Sequence, residues 1–334
     1  MTIDLSAKVA FLRTTAAYPG DGPVEVIETH MSWVFLTVRR VFKLKKPVRM
    51  PYVDYRSIER RQRYCEKELD LGRRLAASVY LEVVPLVAGA SGLSLGGDGE
   101  IVDWLVVMRR LDAEHMLPRM LARGAATVVH ADAIADLLVA FYDRTRRAAW
   151  NAEQYRDRLR GLIVAVAGEL VARGAACDEV AQVARAQFSV IEHHAGALAA
   201  RIDAHRVVDC HGDLRPEHVC LETPPVVIDP LEFDPDLRMM DVGSELAFLA
   251  LECDRLGAAW FGERVLAHYV ERSGDRVPPR LLAFYRTQHA LTRALIALRH
   301  LDDVPVPERA RWRTKAGDYL ARARAFDLTA AGSP

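Results

Sequence analysis

Apolar and polar residues alternate in two short runs near the start of the chain, Ser32-Trp-Val-Phe-Leu-Thr37 and Arg40-Val-Phe-Lys-Leu-Lys45, both rich in β-branched and aromatic side chains. That alternation predicts strands. A turn signal, Tyr18-Pro-Gly-Asp-Gly22, precedes them, and Pro47 closes the region. From Ser57 to about Ala77 the spacing becomes helical, with Tyr64, Leu69, Leu71 and Leu75 set among charges and Ser57 placed to cap the start. Leu81 to Val87 and Trp104 to Met108 return to strand, separated by a Gly/Ser/Asp-rich hairpin turn from Gly89 to Glu100. After Arg110 only helical periodicity remains, with helices expected over 116–122, 131–148, 152–173 and 178–202. A compact β-like insert follows: a strand over Arg206 to Cys210, then a hairpin of Val219-Cys-Leu221 and Val226-Val-Ile-Asp229 joined by Thr223-Pro-Pro225. Helices resume at about Asp241, with breaks at Pro278-Pro279 and at Pro305 to Pro307.

This order predicts an α+β chain and not an alternating βαβ one. The change of character divides it into a strand-rich N-terminal lobe, residues 1–108, and a helical C-terminal lobe, residues 109–334, that carries the hairpin insert. Composition narrows the function classes. Lys+Arg and Asp+Glu are equal at 45 each, so no global field draws in nucleic acid or an anionic membrane. No window approaches the roughly 18 uninterrupted apolar residues of a membrane span, and the N-terminus shows no signal-peptide pattern. The five cysteines are odd in number and include no C-x-x-C pair, which reads as reduced thiols in a cytoplasmic protein. Only six of the 45 basic residues are lysine, and three of the six cluster at Lys43, Lys45 and Lys46. Lysines retained in an arginine-rich chain point to sites needing a compact ammonium, although a solvated strand end would look the same.

The chemistry concentrates in His211-Gly-Asp-Leu-Arg-Pro-Glu-His218, a loop held between two predicted strands. Asp229 ends a strand 16 residues after Asp213. Of two such carboxylates, one can accept a proton from an incoming hydroxyl while the other holds Mg²⁺.

The octet resembles the catalytic loop H-R-D-L-x-x-x-N of kinases, and the Gly after the His resembles the H-G-D-L form of the aminoglycoside phosphotransferase and choline kinase branch. Val226-Val-Ile-Asp229 is similar to that branch's apolar strand ending in a metal-binding Asp. The resemblance covers roughly residues 20–300. It implies a two-lobed, protein-kinase-like fold and transfer of the γ-phosphate of ATP (or GTP) to the hydroxyl of a sugar, aminoglycoside or amino alcohol. Asp213 would be the base, Arg215 would steady charge beside the reacting phosphate, and Asp229 would bind Mg²⁺. Val41-Phe-Lys-Leu-Lys45 resembles the strand of the phosphate lysine; alternation puts Lys43 and Lys45 on one face, so either can fill the role. Glu68 suits the helix acid that orients that lysine, with Glu66 as rival, and Met108 falls where nucleotide meets the hinge between lobes. More narrowly, Glu28-Thr-His-Met-Ser-Trp-Val-Phe-Leu36 and the lysine run resemble a bacterial group whose members often fuse this part to a P-loop ATP-binding domain. No G-x-x-x-x-G-K-[ST] occurs, so the chain is expected to be the kinase-like part alone.

Two positions depart from the family pattern. His218 stands where an Asn usually binds a second metal ion. An imidazole suits Mg²⁺ poorly, so the readings are a single ion on Asp229, a preference for Mn²⁺ with His218 as ligand, a substrate contact, or weak or lost catalysis. No glycine-rich loop precedes Lys43. The alternatives to an active kinase are a nucleotide-binding pseudokinase that regulates a partner and, on the ligand types alone, a metal-dependent hydrolase using His211, Asp213, His218 and Asp229. Asp241 and Glu245 read either as acids favourable at a helix start or as anchors of the loop. Glu232, Asp234 and Asp236 are candidate acids for a cationic acceptor.

Overall fold

The computed structural model describes residues 3–50, 52–302, 304–326 and 328. In chain order, helix α1 (Leu5–Leu12) precedes strands β1 (Glu25–Glu28), β2 (Ser32–Leu36) and β3 (Arg40–Lys45), the short pair β4 (Arg49–Met50) and β5 (Val53–Asp54), and helix α2 (Ile58–Ala76). Strands β6 (Tyr80–Gly89), β7 (Gly92–Leu95) and β8 (Glu100–Arg109) follow, then helices α3 (Leu117–Ala122), α4 (Val128–Arg144), α5 (Ala152–Ala172), α6 (Cys177–His193) and α7 (Ala195–Asp203). The insert contains β9 (Val207–Asp209), β10 (Val219–Cys220) and β11 (Val226–Val227). The chain continues through α8 (Pro235–Arg238), β12 (Met239–Asp241), α9 (Val242–Arg255), α10 (Ala259–Ser273), α11 (Pro279–Arg299) and α12 (Val306–Ala325). The α+β class expected from the pattern is the class observed.

The chain forms two compact units that do not follow a single cut in the sequence. Residues 1–126 and 217–238 make one, and residues 127–216 and 239–334 make the other. The catalytic-like octet is shared between them, since the division falls between Pro216 and Glu217.

The first unit is built on an antiparallel six-stranded sheet in the order β1-β2-β3-β8-β6-β7. Period-two alternation sends Phe42 and Leu44 of β3 to one face, where they join Phe35, Leu105 and Val107 against Val9 and Leu12 of α1 and Tyr18. The opposite face is covered by α2 and by the β10-β11 hairpin, through Cys65, Ala76, Val106, Met108, Cys220 and Val226. Sequence reading did not anticipate α1, whose apolar residues are distributed without a clear stripe. The sheet nevertheless needs a cover on that face, and Asp4 accepts from the Ala7 amide to start the helix. The turn expected over 89–100 is itself partly stranded, because Gly92–Leu95 folds back on β6 as β7. The hairpin joined by Thr223-Pro-Pro225 forms with Val219 opposite Val227.

The second unit is helical, with its core between α5, α6, α7, α9 and α11. One helix was expected over 178–202. Two are found, because His194 leaves helical geometry and ends α6. Helix was expected from about Asp241, and α9 begins at Val242 with Asp241 as its cap; not expected was the strand over 239–241 just before it, paired antiparallel with β9 (Met239 opposite Asp209). No helix among the described residues is long and apolar enough to cross a membrane. Of the five thiols, Cys177 is exposed and the others are buried and unbridged.

Candidate active site

In the first unit, five charged side chains from three elements meet. Strand β3 presents Lys43 and Lys45 on the face opposite the Phe42 and Leu44 core. Helix α2 brings Glu68 between them. The Lys43 Nζ donates to Glu68 Oε1 (2.8 Å) and to Asp229 Oδ1 (2.6 Å). The Lys45 Nζ donates to Glu68 Oε2 (2.6 Å) and to Glu232 Oε1 (2.5 Å). Tyr55 Oη donates to the same Glu232 oxygen at 2.6 Å. Glu68 thus bridges the two lysines, and its register on α2 is fixed from elsewhere on that helix. Arg61, two turns earlier, donates Nε and Nη2 to the carboxylate of Asp103 on β8, and Lys8 of α1 donates to Asp103 as well.

Local backbone explains how Asp229 reaches this cluster. Its φ of +61° lies in the left-handed region, which Asp tolerates better than most residues, and its N–H donates to the Tyr80 hydroxyl at 2.9 Å. His218, one strand away, accepts the Ile228 N–H at its carbonyl (2.9 Å) and holds its Nε2 3.5 Å from Asp229 Oδ2. His218 is buried, whereas the Asp229 side chain is 45% exposed.

Burial opposes the charge on Lys43 and on Lys45. The facing carboxylates, Asp229 and Glu68 for the first and Glu232 and Glu68 for the second, outweigh it and hold both pKa values well above the lysine range. Burial likewise opposes ionisation of Asp229 and Glu232, yet Lys43 for the former and Lys45 for the latter hold both below the usual carboxylate range. Burial also pushes the neighbouring Cys65 thiol up to about 12, so it stays a protonated core residue. Lys43, Lys45, Asp229 and Glu232 therefore keep their charges at neutral pH. The part-exposed Asp229 side chain fits a hard divalent cation held by one carboxylate. His218 adds a nitrogen donor beside that carboxylate.

The second unit holds the first six residues of the loop, 211–216. Gly212, at φ +90°, makes the turn between His211 and Asp213 that a side chain would strain. The Gly212 and His211 amides donate to Glu245 of α9 at 2.7 and 3.2 Å, and Tyr142 Oη donates to Glu245 at 2.8 Å. Glu245 is therefore a loop anchor as well as a first-turn acid. Asp241 accepts both Arg201 Nε and Nη2 at 2.7 Å, together with the Gly243 amide. His211 is buried and accepts the Asp213 N–H at Nδ1 (3.3 Å). Arg215 grips Asp213 bidentately, Nε to Oδ1 and Nη2 to Oδ2, each at 2.9 Å.

Sequence reasoning found Lys43, Lys45, Glu68, His218 and Asp229, which converge, and Asp213 and Arg215, which pair. Met108 is a buried ladder residue opposite Val41 and Tyr80. Tyr55 was not anticipated. Glu232, considered as an acid for a cationic acceptor, is buried and already neutralised by Lys45. Among the described residues, no three His, Cys, Asp or Glu side chains form a ready metal-holding group.

His289 of α11 offers a pH test in the second unit. It bonds Ser244 Oγ (3.0 Å) and stacks on Phe248. Burial, aided by Arg293, lowers its pKa to about 4 against smaller upward pulls from Ser244 and Asp213. The unfolded imidazole binds its proton near pH 6.5. The contribution is thus complete above about pH 6.5 and is lost as pH falls through about 4. Unfolding free energy from urea titration should drop by up to about 2 kcal/mol between pH 7 and 5 from this group, a slope that His289→Gln removes. An unchanged slope in the variant would refute the assignment.

The comparisons agree with this picture. The family model described as "Phosphotransferase enzyme family" matches residues 39–284. An uncharacterized protein of Mycobacterium tuberculosis is 34% identical over 284 residues, which cover 82% of this chain and 54% of that protein. The chain thus spans about half the length of the curated relatives it matches. Among solved structures, a choline/ethanolamine kinase family protein from Mesorhizobium loti aligns with a TM-score of 0.54 at 18% identity, covering 98% of this chain and 96% of that one. The GDP complex of an aminoglycoside 2′-phosphotransferase aligns with a TM-score of 0.55 at 15% identity, covering 96% and 97%. The kinase-like fold expected from the octet is the fold these two share with the chain.

Proposed function

The chain belongs to the phosphotransferase enzyme family, and on that footing we propose that it is an ATP-dependent kinase acting on a hydroxyl of a small molecule. The observation that carries the proposal is the convergence of Lys43 on Glu68 and Asp229 at 2.8 and 2.6 Å. A lysine oriented by a helix acid beside a part-exposed carboxylate is what phosphoryl transfer requires of a nucleotide site: positioning and charge neutralisation more than covalent chemistry. In this reading residues 1–108 form the nucleotide-binding lobe, with Met108 at the nucleotide's edge, and residues 109–334 provide the base and the acceptor site.

The roles divide as follows. Lys43 holds the nucleotide phosphates, and Glu68 holds Lys43. Asp213 accepts the acceptor hydroxyl's proton as its oxygen bonds to the γ-phosphorus; the bond to the bridging oxygen breaks and ADP leaves. Asp229, with His218 as a second donor, would hold Mg²⁺ or Mn²⁺, which when bound offsets negative charge on the phosphates. The acceptor is a sugar, an aminoglycoside or an amino alcohol, the last two being compounds that neighbouring structures are named for. Nucleic acid and membranes are not partners in this reading, and the reaction is cytoplasmic.

Thermal-shift measurement with ATP or GTP and MgCl₂ or MnCl₂ tests the core of the reading. Nucleotide at 100 times its dissociation constant should stabilise the chain by about 2.7 kcal/mol. Absence of any shift with either nucleotide and either metal would reject it. His218 favours a second reading, a nucleotide-binding regulator without turnover. Binding with no phosphate released or transferred to any of the three acceptor classes would select that reading.

A further inference from the structure

The second lysine of the cluster has no place in the roles above. Lys45 is fully buried, whereas the Lys43 side chain is 15% exposed. The two project from the same strand face roughly 7 Å apart, and one carboxylate, Glu68, spans them. Lys45 then reaches Glu232, three residues beyond Asp229, and Glu232 is held by Tyr55 from the segment leading into α2. The Lys45 ammonium also lies 5.2 Å from the Tyr55 ring centroid. The pair is expensive to bury, and an apolar pair of similar volume would fill the space at less cost. Two bonds from Lys45, one to each acid, tie β3 to α2 and to the segment that carries Asp229.

We infer that Lys45, Glu232 and Tyr55 form a positioning unit that locks the 229–232 segment so that Asp229 meets metal, whereas Lys43 keeps its own bond to Glu68 and meets phosphate without the unit. Lys45 is then not a phosphate ligand, although it shares a strand face with Lys43. Without it, Asp229 loses the tether three residues downstream. This inference rests on the kinase reading for its functional consequence but not for its structural one, and the two are tested separately.

Lys45→Met alone strands the buried Glu232 charge and risks unfolding the chain, so the test variant is the neutral double Lys45→Met/Glu232→Gln, in which Gln keeps an oxygen for Tyr55. Hydrogen exchange of the ligand-free chain reads the lock directly. Amides of residues 228–234 should exchange at least about 10-fold faster in the double variant, and unchanged protection there would overturn the inference whether or not the chain binds nucleotide. ATP binding by calorimetry, with EDTA and then with MnCl₂, reads the functional consequence. The double variant should keep metal-free ATP affinity within about 3-fold and lose about 10-fold or more of the metal-dependent gain. Lys43→Met should instead weaken metal-free binding. A double variant that loses metal-free ATP affinity as Lys43→Met does would make Lys45 a phosphate ligand, and one that matches the parent in both conditions would make the unit merely structural; either result rejects the inference. A parent chain that binds no ATP defeats the kinase reading and leaves the exchange result to decide the lock.

Discussion

Replacing Asp213 with Asn is expected to lower the rate of phosphoryl transfer by about 10²–10⁴-fold, the range a positioned general base supplies. In the proposed reading the effect falls mainly on proton acceptance, with one bond of the Arg215 fork lost as well. Asn is nearly isosteric, keeps one oxygen for the Arg215 fork and leaves the Gly212 turn and the Glu245 anchor untouched. The Asp213–Arg215 pair is only partly buried, with side chains 27% and 17% exposed, so its loss should cost no more than about 1 kcal/mol of stability. In the proposed reading nucleotide affinity should stay within about 3-fold, because Lys43 and Asp229, not Asp213, are the residues assigned to phosphate and metal. ADP release measured with ATP, metal and a panel of amino alcohols and aminoglycosides, or with water as acceptor, checks the result. Activity within about 3-fold of the parent would remove Asp213 from the role of base. Arg215→Met serves as a companion: it frees Asp213 from its fork, and if Arg215 steadies transferring charge, kcat should fall while the acceptor's KM holds.

Much of the site was legible because its residues lie in short, chemically dense segments. The octet around Asp213 announces itself by type and spacing, and the apolar strand ending at Asp229 follows within one hairpin. Lys43 and Lys45 were readable as a same-face pair because strand alternation is strict. What alternation does not carry is depth. Only the packing of α2 and the hairpin makes Lys45 fully buried and leaves Lys43 part-exposed. Glu232 was visible as an acid near Asp229, but its partners lie at 45 and 55, and a side-chain pairing across that separation leaves no local pattern. Tyr55 was missed for the same reason. The fold shows a parallel split. Strands and long amphipathic helices were readable from period, whereas α1, without a clear apolar stripe, and β12, three residues joined to a helix, were not. Each exists because a partner element needs covering or pairing.

Glu245 illustrates a residue whose two sequence readings turn out to be compatible, and its removal should have the largest effect on stability. It lies in the first turn of α9, where an acid is favourable, yet its carboxylate faces the loop and accepts the amides of His211 and Gly212 and the Tyr142 hydroxyl. Glu245→Ala leaves three donors without this acceptor in a buried setting, each worth about 1–3 kcal/mol when orphaned. Hydration of the part-exposed Gly212 recovers some of that, so a net loss of about 4 kcal/mol is expected from urea unfolding followed by fluorescence. Glu245→Gln keeps one oxygen for the Gly212 amide and should restore roughly half of it. The loop should report the change before the core does: amides 210–216 are expected to exchange faster in Glu245→Ala under conditions where α9 and α11 remain protected. Asp213 is then presented on an unanchored turn, and transfer activity should fall even where the chain stays folded. A loss below about 1 kcal/mol with unchanged exchange across 210–216 would show that the strand pairing of β9 and β12 holds the loop unaided and that Glu245 is only a helix-start acid.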